Sequence, residues 1–219
     1  MRIIAGRLKR RKLLANPGMV TRPITDRVKV SLFQYLESDL EDARVADVFC
    51  GTGTLGFESL SRGARSVVFL ERDRTAFELL KTNVESLGVK DETMCWNVDV
   101  ERTSFRPKNC DEKLPYDVIF FDPPYKMVPD IKPGTPLYRS LQRVSREGIA
   151  APDALLLLRT PKFAEFELPA CWQIEYVSEY SSMTVHWFRR IEVSADADQI
   201  DESINEESPD AEPDGASVV

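Results

Sequence analysis

The sequence predicts an α/β protein whose sheet is mostly parallel and ends in an antiparallel hairpin. Strand and helix patterns alternate from residue 44 to residue 191, and repeated β-α-β units form a parallel sheet with helices on both faces. The last two strand patterns, at 172–180 and 183–193, are separated only by Ser181 and Ser182. So short a connection is a tight turn, and these two strands should therefore pair antiparallel.

The predicted elements follow one another with short connections. A first helix covers residues 24–40, because Val28, Leu32, Leu36 and Leu40 recur every four residues after the N-cap candidate Thr25. Strands are predicted at 45–49, 66–70, 93–98, 116–121 and 154–159, and further helices at 54–62, 73–87 and 137–147. A body of this length is sufficient for one domain with its own core.

The distribution of charge divides the chain into three regions. Residues 1–23 form a basic arm, residues 24–193 the globular domain, and residues 194–219 an acidic tail. The tail holds nine acidic residues and neither lysine nor arginine. Because it has few large apolar side chains, we expect it to be disordered. The net charge of −7 therefore says little about the partner of the rest of the chain.

A glycine-rich turn follows the first predicted strand of the sheet. Asp47 lies inside the end of that strand, Gly51, Gly53 and Gly56 follow it, and Glu71 comes at the end of the next strand. Glycines let a ligand approach the backbone closely, and a carboxylate at the position of Glu71 can accept hydrogen bonds from ribose hydroxyls. Asp47 can reach a cationic or amino-bearing ligand. The turn predicts a nucleotide-type cofactor, although a nicotinamide dinucleotide or a packing role alone would also fit.

A second candidate site follows the predicted strand at 116–121. Asp122, Pro123, Pro124 and Tyr125 come directly after this apolar run, and in open α/β sheets ligands bind at the carboxyl ends of strands. Asp122 and the Pro123 carbonyl can accept both hydrogens of an amino group, and Tyr125 offers a face for stacking a base. The motif predicts a site for an aromatic amine; a rigid turn with a core-packing tyrosine is the alternative.

These motifs together resemble a known enzyme family. Asp-Pro-Pro-Tyr after an apolar strand, downstream of the glycine turn, is similar to the amino-directed S-adenosylmethionine methyltransferases. More narrowly, the chain resembles the bacterial 16S ribosomal RNA guanine-N2 methyltransferases of the RsmD type from residue 2 to about residue 191. The similarity is carried by RIIAGR at 2–7, RKL at 11–13, TRPITDRV at 21–28, FCGTGTLG at 49–56 and ESLSRGA at 58–64.

The resemblance implies a Rossmann-like, seven-stranded methyltransferase fold that binds S-adenosyl-L-methionine. It implies that the guanine is flipped out of its stack into the pocket formed by Asp122, Pro123 and Tyr125, and that Asp99 contacts the adenine of the cofactor. The segment 126–136, which contains three prolines, has no secure match in the family and is predicted to be irregular. An adenine-N6 methyltransferase would use the same pocket, and a dinucleotide oxidoreductase or a non-catalytic RNA-binding protein are further alternatives.

The basic arm is predicted to contact RNA, because phosphate contacts position a nucleic acid without reading its sequence. Its basic residues are Arg2, Arg7, Lys9, Arg10, Arg11, Lys12 and Arg22. A solvated run of charge is the alternative. The expected partner is 16S ribosomal RNA or an assembling small ribosomal subunit.

The composition also indicates several classes of protein to which the chain should not belong. No apolar run is long enough to cross a bilayer, and the basic first residues lack the apolar segment of a signal peptide. We therefore expect a cytoplasmic protein without a membrane partner, and a monomer. The four cysteines have no C-x-x-C spacing and His186 is the only histidine, so we expect no metal site.

Overall fold

The computed structural model describes residues 1–15 and 24–192, which form a seven-stranded sheet flanked by helices. The strands are β1 (Arg44–Val48), β2 (Ser66–Glu71), β3 (Thr93–Asn97), β4 (Tyr116–Phe121), β5 (Ala150–Pro161), β6 (Trp172–Glu179) and β7 (Met183–Arg190). The α-helices are α1 (Asp26–Tyr35), α2 (Glu37–Leu40), α3 (Thr54–Ser61), α4 (Arg74–Leu87) and α5 (Pro136–Val144). Short 3₁₀ helices lie at Lys90–Glu92, Asp111–Lys113 and Tyr125–Asp130.

The sheet has the strand order β3-β2-β1-β4-β5-β7-β6. Strands β1 to β5 are parallel, whereas β7 runs antiparallel to both β5 and β6. The predicted fold class is therefore confirmed, including the hairpin that ends the sheet. The chain reverses its direction of winding between β1 and β4, and the carboxyl ends of these two strands are where an open sheet of this kind binds ligands.

The core lies on both faces of the central strands. Along β4, Val118 and Phe120 belong to one buried layer, and Ile119 and Phe121 belong to the other. Such alternation follows from the two-residue period of a strand whose two faces are both covered. The continuous apolar run at the end of β4 is therefore a requirement of its central position, and it holds the start of the Asp122 motif rigidly.

The predicted helix at 24–40 is wrong in one respect, because it is two helices that meet at Leu36. Thr25 caps α1 by accepting a hydrogen bond from the Val28 N–H at 3.4 Å, as predicted. The carbonyl of Leu36 accepts from Asp39 at 3.0 Å and from Leu40 at 3.1 Å, and this tighter turn separates α1 from α2. The apolar period is nevertheless satisfied, since Leu36 and Leu40 are both fully buried.

The segment 126–136 was predicted to be irregular, and its first half instead continues the 3₁₀ helix Tyr125–Asp130. Val128 and Ile131 are fully buried against α5 and the strands. Apolar side chains at this spacing anchor the segment, which the proline count alone did not indicate.

Residues 1–15 pack against the domain. Ile3, Leu8 and Leu13 are buried in the core, and the backbone N–H groups of Ile4 and Ala5 donate to the Glu58 carboxylate at 2.8 and 3.1 Å. The rest of the predicted arm, including Arg22, lies outside the described residues, as does the acidic tail at 194–219. Within the described part of the chain, no helix has the length and apolar character needed to span a membrane.

Candidate active site

A cavity of about 590 Å³ opens at the carboxyl ends of the parallel strands. Its volume is that of a pocket for a nucleotide-sized ligand. Each of the five parallel strands contributes to its wall, either directly or through the loop that follows. The predicted site residues that line it are Asp47, Gly51, Glu71, Asp99 and Asp122.

Glu71 binds the glycine turn to the end of β2. One of its carboxylate oxygens accepts a hydrogen bond from the Gly51 N–H at 2.8 Å, and the other accepts from the Asp73 N–H at 2.7 Å. Gly51 has a φ of +57°, a left-handed conformation that glycine adopts without strain. Glu71 therefore shapes the turn while its remaining lone pairs face the cavity.

The other two glycines of the motif are packing residues, which corrects their predicted cofactor contacts. Neither Gly53 nor Gly56 lines the cavity. A Cβ atom on Gly53 would lie 2.6 Å from the Phe57 ring, and one on Gly56 would lie 2.3 Å from the Phe69 ring. Both glycines are needed so that α3 can pack closely on β2 and α4.

Asp47 is a buried carboxyl group at the end of β1. Its side chain is 1% exposed, and one oxygen accepts a hydrogen bond from the Gly56 N–H at 2.8 Å. Burial raises the pKa of Asp47 to about 7. The nearby charges of Asp122 and Glu71 raise this pKa further, whereas the Gly56 N–H and the positive charge of Arg159 lower it. The free site therefore holds a carboxyl group that is poised to ionise near neutral pH.

Asp99 follows the edge strand β3 and lines the cavity from that side of the sheet. Its carboxylate pairs with Arg72 at 3.2 Å and accepts a hydrogen bond from the Glu101 N–H at 3.1 Å. Arg72 also lines the cavity. The structure thus brings Asp99 to the site together with a cation that the sequence did not single out.

Asp122 follows β4 and lies next to the end of β1. Its backbone N–H donates to the Val48 carbonyl at 3.2 Å, and one carboxylate oxygen accepts from the Arg159 Nε at 2.6 Å. Burial raises the pKa of Asp122, and the charge and hydrogen bond of Arg159 oppose that shift. Pro124 lines the cavity, whereas Pro123 is buried and the half-buried Tyr125 lies beside it, outside its wall.

Arg159 is the functional residue that sequence reasoning missed. It ends the apolar run 154–158 in β5, lines the cavity, and lies with its guanidinium carbon 5.8 Å from the centre of the Tyr125 ring. The available signal was a charged residue at the carboxyl end of a buried strand, the same position that singled out Asp122. The contribution of the N-terminal segment was missed as well, since Met1 and Ala15 form part of the cavity wall.

The basic residues of the N-terminal segment divide into two groups. Arg2 pairs with Asp26 at 2.9 Å, Arg7 pairs with Glu92, and Arg11 donates to the Ser86 carbonyl. The other group is exposed and has no ion pair with the described residues; it consists of Lys9, Arg10 and Lys12. The first group holds the segment on the domain, and the second is available to a partner.

Comparison with known proteins agrees with the sequence motifs. The sequence model of a family described as "Conserved hypothetical protein 95" matches residues 1–189. The ribosomal RNA small subunit methyltransferase D of Haemophilus influenzae is 32% identical over 176 residues, which are 80% of this chain and 86% of that protein. The enzyme of the same name from Buchnera aphidicola is 37% identical over 124 residues, but the match spans only 62% of its length.

A solved structure has the same fold. The yhhF protein of Escherichia coli superposes with a TM-score of 0.71 at 28% sequence identity, covering 87% of this chain and 98% of that one. The chain belongs to the Conserved hypothetical protein 95 family, that of the ribosomal RNA small subunit methyltransferases D.

Proposed function

We propose that this protein transfers the methyl group of S-adenosyl-L-methionine to the exocyclic N2 amine of a guanine in 16S ribosomal RNA. Its family membership makes it a methyltransferase of ribosomal RNA. The choice of guanine N2 rests on the geometry around Asp122 and on the resemblance of the motifs.

The observation that carries the proposal is the carboxylate of Asp122 at the edge of the cavity, one oxygen of which can still accept a hydrogen bond. One oxygen of Asp122 is bonded to Arg159, and no described residue donates a hydrogen bond to the other. A carboxylate oxygen has only lone pairs to offer, so it selects a donor such as an amine. The Pro123 carbonyl does not line the cavity, and Asp122 is therefore the acceptor on which the proposal depends.

The cofactor fits the hydrogen-bond acceptors on the other side of the cavity. S-adenosyl-L-methionine brings a sulfonium methyl group, which is already a strong electrophile, and it carries positive charge that suits the acidic groups Asp47 and Glu71. We assign the ribose hydroxyls to Glu71 and the adenine to Asp99. Because Asp73 also lines the cavity, it is a second acceptor for this half of the ligand.

Catalysis then depends mainly on position. The guanine amine is a weak nucleophile because its lone pair is delocalised into the ring, and it becomes more positive as the N–C bond forms and the C–S bond breaks. A hydrogen bond from this amine to Asp122 strengthens as the charge develops, which stabilises the transition state more than the ground state. Asp122 is also the acceptor positioned to receive the proton that the nitrogen loses.

A base inside a helical stack cannot reach this cavity, so the guanine must be unpaired or flipped out. The exposed cations Lys9, Arg10 and Lys12 lie on the segment that contributes Met1 and Ala15 to the wall of the cavity. We propose that they hold the phosphates near the target nucleotide. Tyr125, beside the cavity, is assigned to stacking on the base.

The test is methyl transfer from labelled S-adenosyl-L-methionine to small-subunit particles that lack the modification, followed by mass spectrometry of the nucleosides. We expect label in N2-methylguanosine. An RNA with inosine at the target position is the matched control, because inosine is guanosine without the 2-amino group. It should bind and accept no methyl group. Label in N6-methyladenosine, or equal transfer to the inosine RNA, would contradict the guanine-N2 assignment.

A further inference from the structure

We propose that Arg159 is a positioning residue that keeps Asp122 ionised and directs its free oxygen toward the substrate amine. This inference rests on the proposed function in that Asp122 is the amine acceptor. It adds a residue that none of the sequence motifs contains, and it assigns to the pair a task beyond holding two strands together.

The pair is built into the sheet. Phe121 and Leu158 are register partners on the parallel strands β4 and β5, and Asp122 and Arg159 are the next residues on each strand. The Nε to Oδ1 distance is 2.6 Å, with side-chain exposures of 11% for Arg159 and 16% for Asp122. With the two backbones held by the sheet, one carboxylate oxygen of Asp122 accepts from Arg159, and no described residue donates to the other.

Without Arg159, the surroundings of Asp122 would favour its protonated form. Burial favours a neutral carboxyl group and raises the pKa of Asp122, and Arg159 is the group that opposes this shift. The titratable groups that act on Arg159 from the neighbouring elements are Asp47 on β1, Asp122 and Tyr125 after β4, and Glu71 on β2 acts in turn on Asp47. His186 on β7 is the register partner of Leu158 and bonds Thr160, so it lies on the other face of the sheet. Arg159 is thus the cation that contacts Asp122.

Two observations indicate that the pair serves a ligand as well as the fold. The Nη1 of Arg159 is buried and has no hydrogen-bond partner among the described residues, and a guanidinium donor left in this state is costly unless something else satisfies it. The guanidinium also lies 5.8 Å from the Tyr125 ring centre. Arg159 therefore contacts both the amine acceptor and the aromatic ring assigned to the base.

The charge state matters because it decides what Asp122 can bind. A carboxylate accepts hydrogen bonds at every lone pair, whereas a protonated carboxyl group places an O–H donor against an amine that is itself a donor. Loss of the Arg159 charge should therefore lower turnover most at low pH. At high pH, where Asp122 ionises without help, part of the activity should return.

The experiment titrates Asp122 directly, by carbon-13 NMR of aspartate carboxyl groups in the full chain, with Asp122→Asn to assign the signal. We compare the wild type with Arg159→Gln and Arg159→Lys. Removal of an adjacent opposite charge moves a carboxyl pKa by about one to three units. We expect the midpoint to rise by about one pH unit or more in Arg159→Gln and to stay near the wild-type value in Arg159→Lys.

The matched control is Arg44→Gln, which removes an arginine from an ion pair with Asp117 at the amino ends of β1 and β4, 2.9 Å apart. It should leave the Asp122 midpoint unchanged. If Arg159→Gln does not fold, the pH profile of methyl transfer by Arg159→Lys replaces it. A profile that matches the wild type supports the inference, and a profile that has lost its activity at low pH contradicts it. An unmoved midpoint in folded Arg159→Gln overturns the inference. A moved midpoint without transfer to guanine N2 would instead overturn the proposed function alone.

Discussion

The two halves of the cavity are held by different kinds of contact. In the cofactor half, defined by Asp47, Gly51 and Glu71, each carboxyl group accepts hydrogen bonds from backbone N–H groups at 2.7–2.8 Å. In the base half, defined by Asp122, Arg159 and Pro124, the central contact joins two side chains 37 residues apart. The first half joins the neighbouring strands β1 and β2, and the second joins the neighbouring strands β4 and β5.

This difference has an electrostatic consequence. Backbone N–H groups are neutral and do not offset the charge of Glu71 or of an ionised Asp47, so the cofactor half suits a cationic ligand. The base half pairs its carboxylate with a guanidinium and is close to neutral as a unit, which suits an uncharged aromatic amine. A substitution in one half should therefore leave the other half unaffected, and turnover and cofactor affinity can be measured separately to test this.

The largest effect is expected in the base half. Asp122→Asn keeps the size of the side chain and one acceptor oxygen but loses the charge that stabilises the developing positive nitrogen. We expect kcat to fall by at least about 10²-fold, the scale of one preorganised transition-state interaction. The affinity for S-adenosyl-L-methionine, measured by calorimetry, should change little because the cofactor half is untouched.

Asp130→Asn is the control for this variant, since Asp130 is an exposed residue on the 3₁₀ helix that follows the motif. It should behave like the wild type in both measurements. If Asp122→Asn lowers cofactor affinity as much as it lowers turnover, the two halves are not separate in the way proposed.

The next effect belongs to the cofactor half. Glu71→Ala removes the acceptor of the Gly51 and Asp73 N–H groups together with the assigned ribose contact. We expect binding of S-adenosyl-L-methionine to weaken by about 1.5–3 kcal/mol, the range for a hydrogen bond to a charged group. The exposed Glu85→Ala on α4 is the matched control. Unchanged affinity in the Glu71 variant would remove the ribose assignment.

The fold and the cofactor half could be predicted because their signals are local. The spacing of Gly51, Gly53 and Gly56 after a strand indicates a turn, and the two serines between the last strands indicate a hairpin. Local spacing did not distinguish the ligand-facing Gly51 from the two glycines that serve packing. That distinction depends on the ring of Phe57 in α3, on Leu80 of α4 and on the ring of Phe69 in β2.

The base half could be predicted only in part. Asp122 is conspicuous beside two prolines, but nothing near Arg159 in the sequence indicates a partner 37 residues before it. The pairing is a consequence of the β4–β5 register, which the sequence pattern does not fix. For the same reason, the contribution of Met1 and Ala15 to the cavity emerged only from the packing of the first segment.

A third effect should leave both halves of the cavity unchanged. Replacement of Lys9, Arg10 and Lys12 by alanine removes three cations that have no ion pair with the described residues. Each phosphate contact to a single strand contributes about 0.7 to the slope of log K against log salt. We expect that slope to decrease by about 2 and the KM for RNA to rise, with kcat and cofactor affinity preserved.

The control for the basic segment is Lys81→Ala with Lys90→Ala and Arg146→Ala, three exposed cations from other parts of the domain. The control should preserve the salt slope of the wild type. An equal decrease in both variants would mean that the protein attracts RNA through its overall charge, and the N-terminal segment would then have no special part in positioning the substrate.

The smallest effect concerns the protonation of Asp47, whose pKa in the free protein is about 7. A cationic ligand favours the ionised carboxylate, so binding below this pKa must release a proton, and affinity should increase as the pH rises. Between pH 6 and pH 8 the ionised fraction changes from about one tenth to about nine tenths, which limits the gain in affinity to about tenfold.

Asp47→Asn isolates this effect, because the amide oxygen can still accept from the Gly56 N–H and the amino group of the ligand titrates identically in both proteins. Calorimetry at pH 6 in two buffers of different ionisation enthalpy should show release of nearly one more proton in the wild type than in the variant. The free energy of unfolding supplies an independent check. An unfolded aspartate ionises near pH 4, so the wild type should lose stability relative to Asp47→Asn as the pH rises from about 4 to 7, and the difference should then stay constant. Equal proton release in the two proteins would place the ligand's positive charge elsewhere in the cavity and would leave Asp47 as a support for α3.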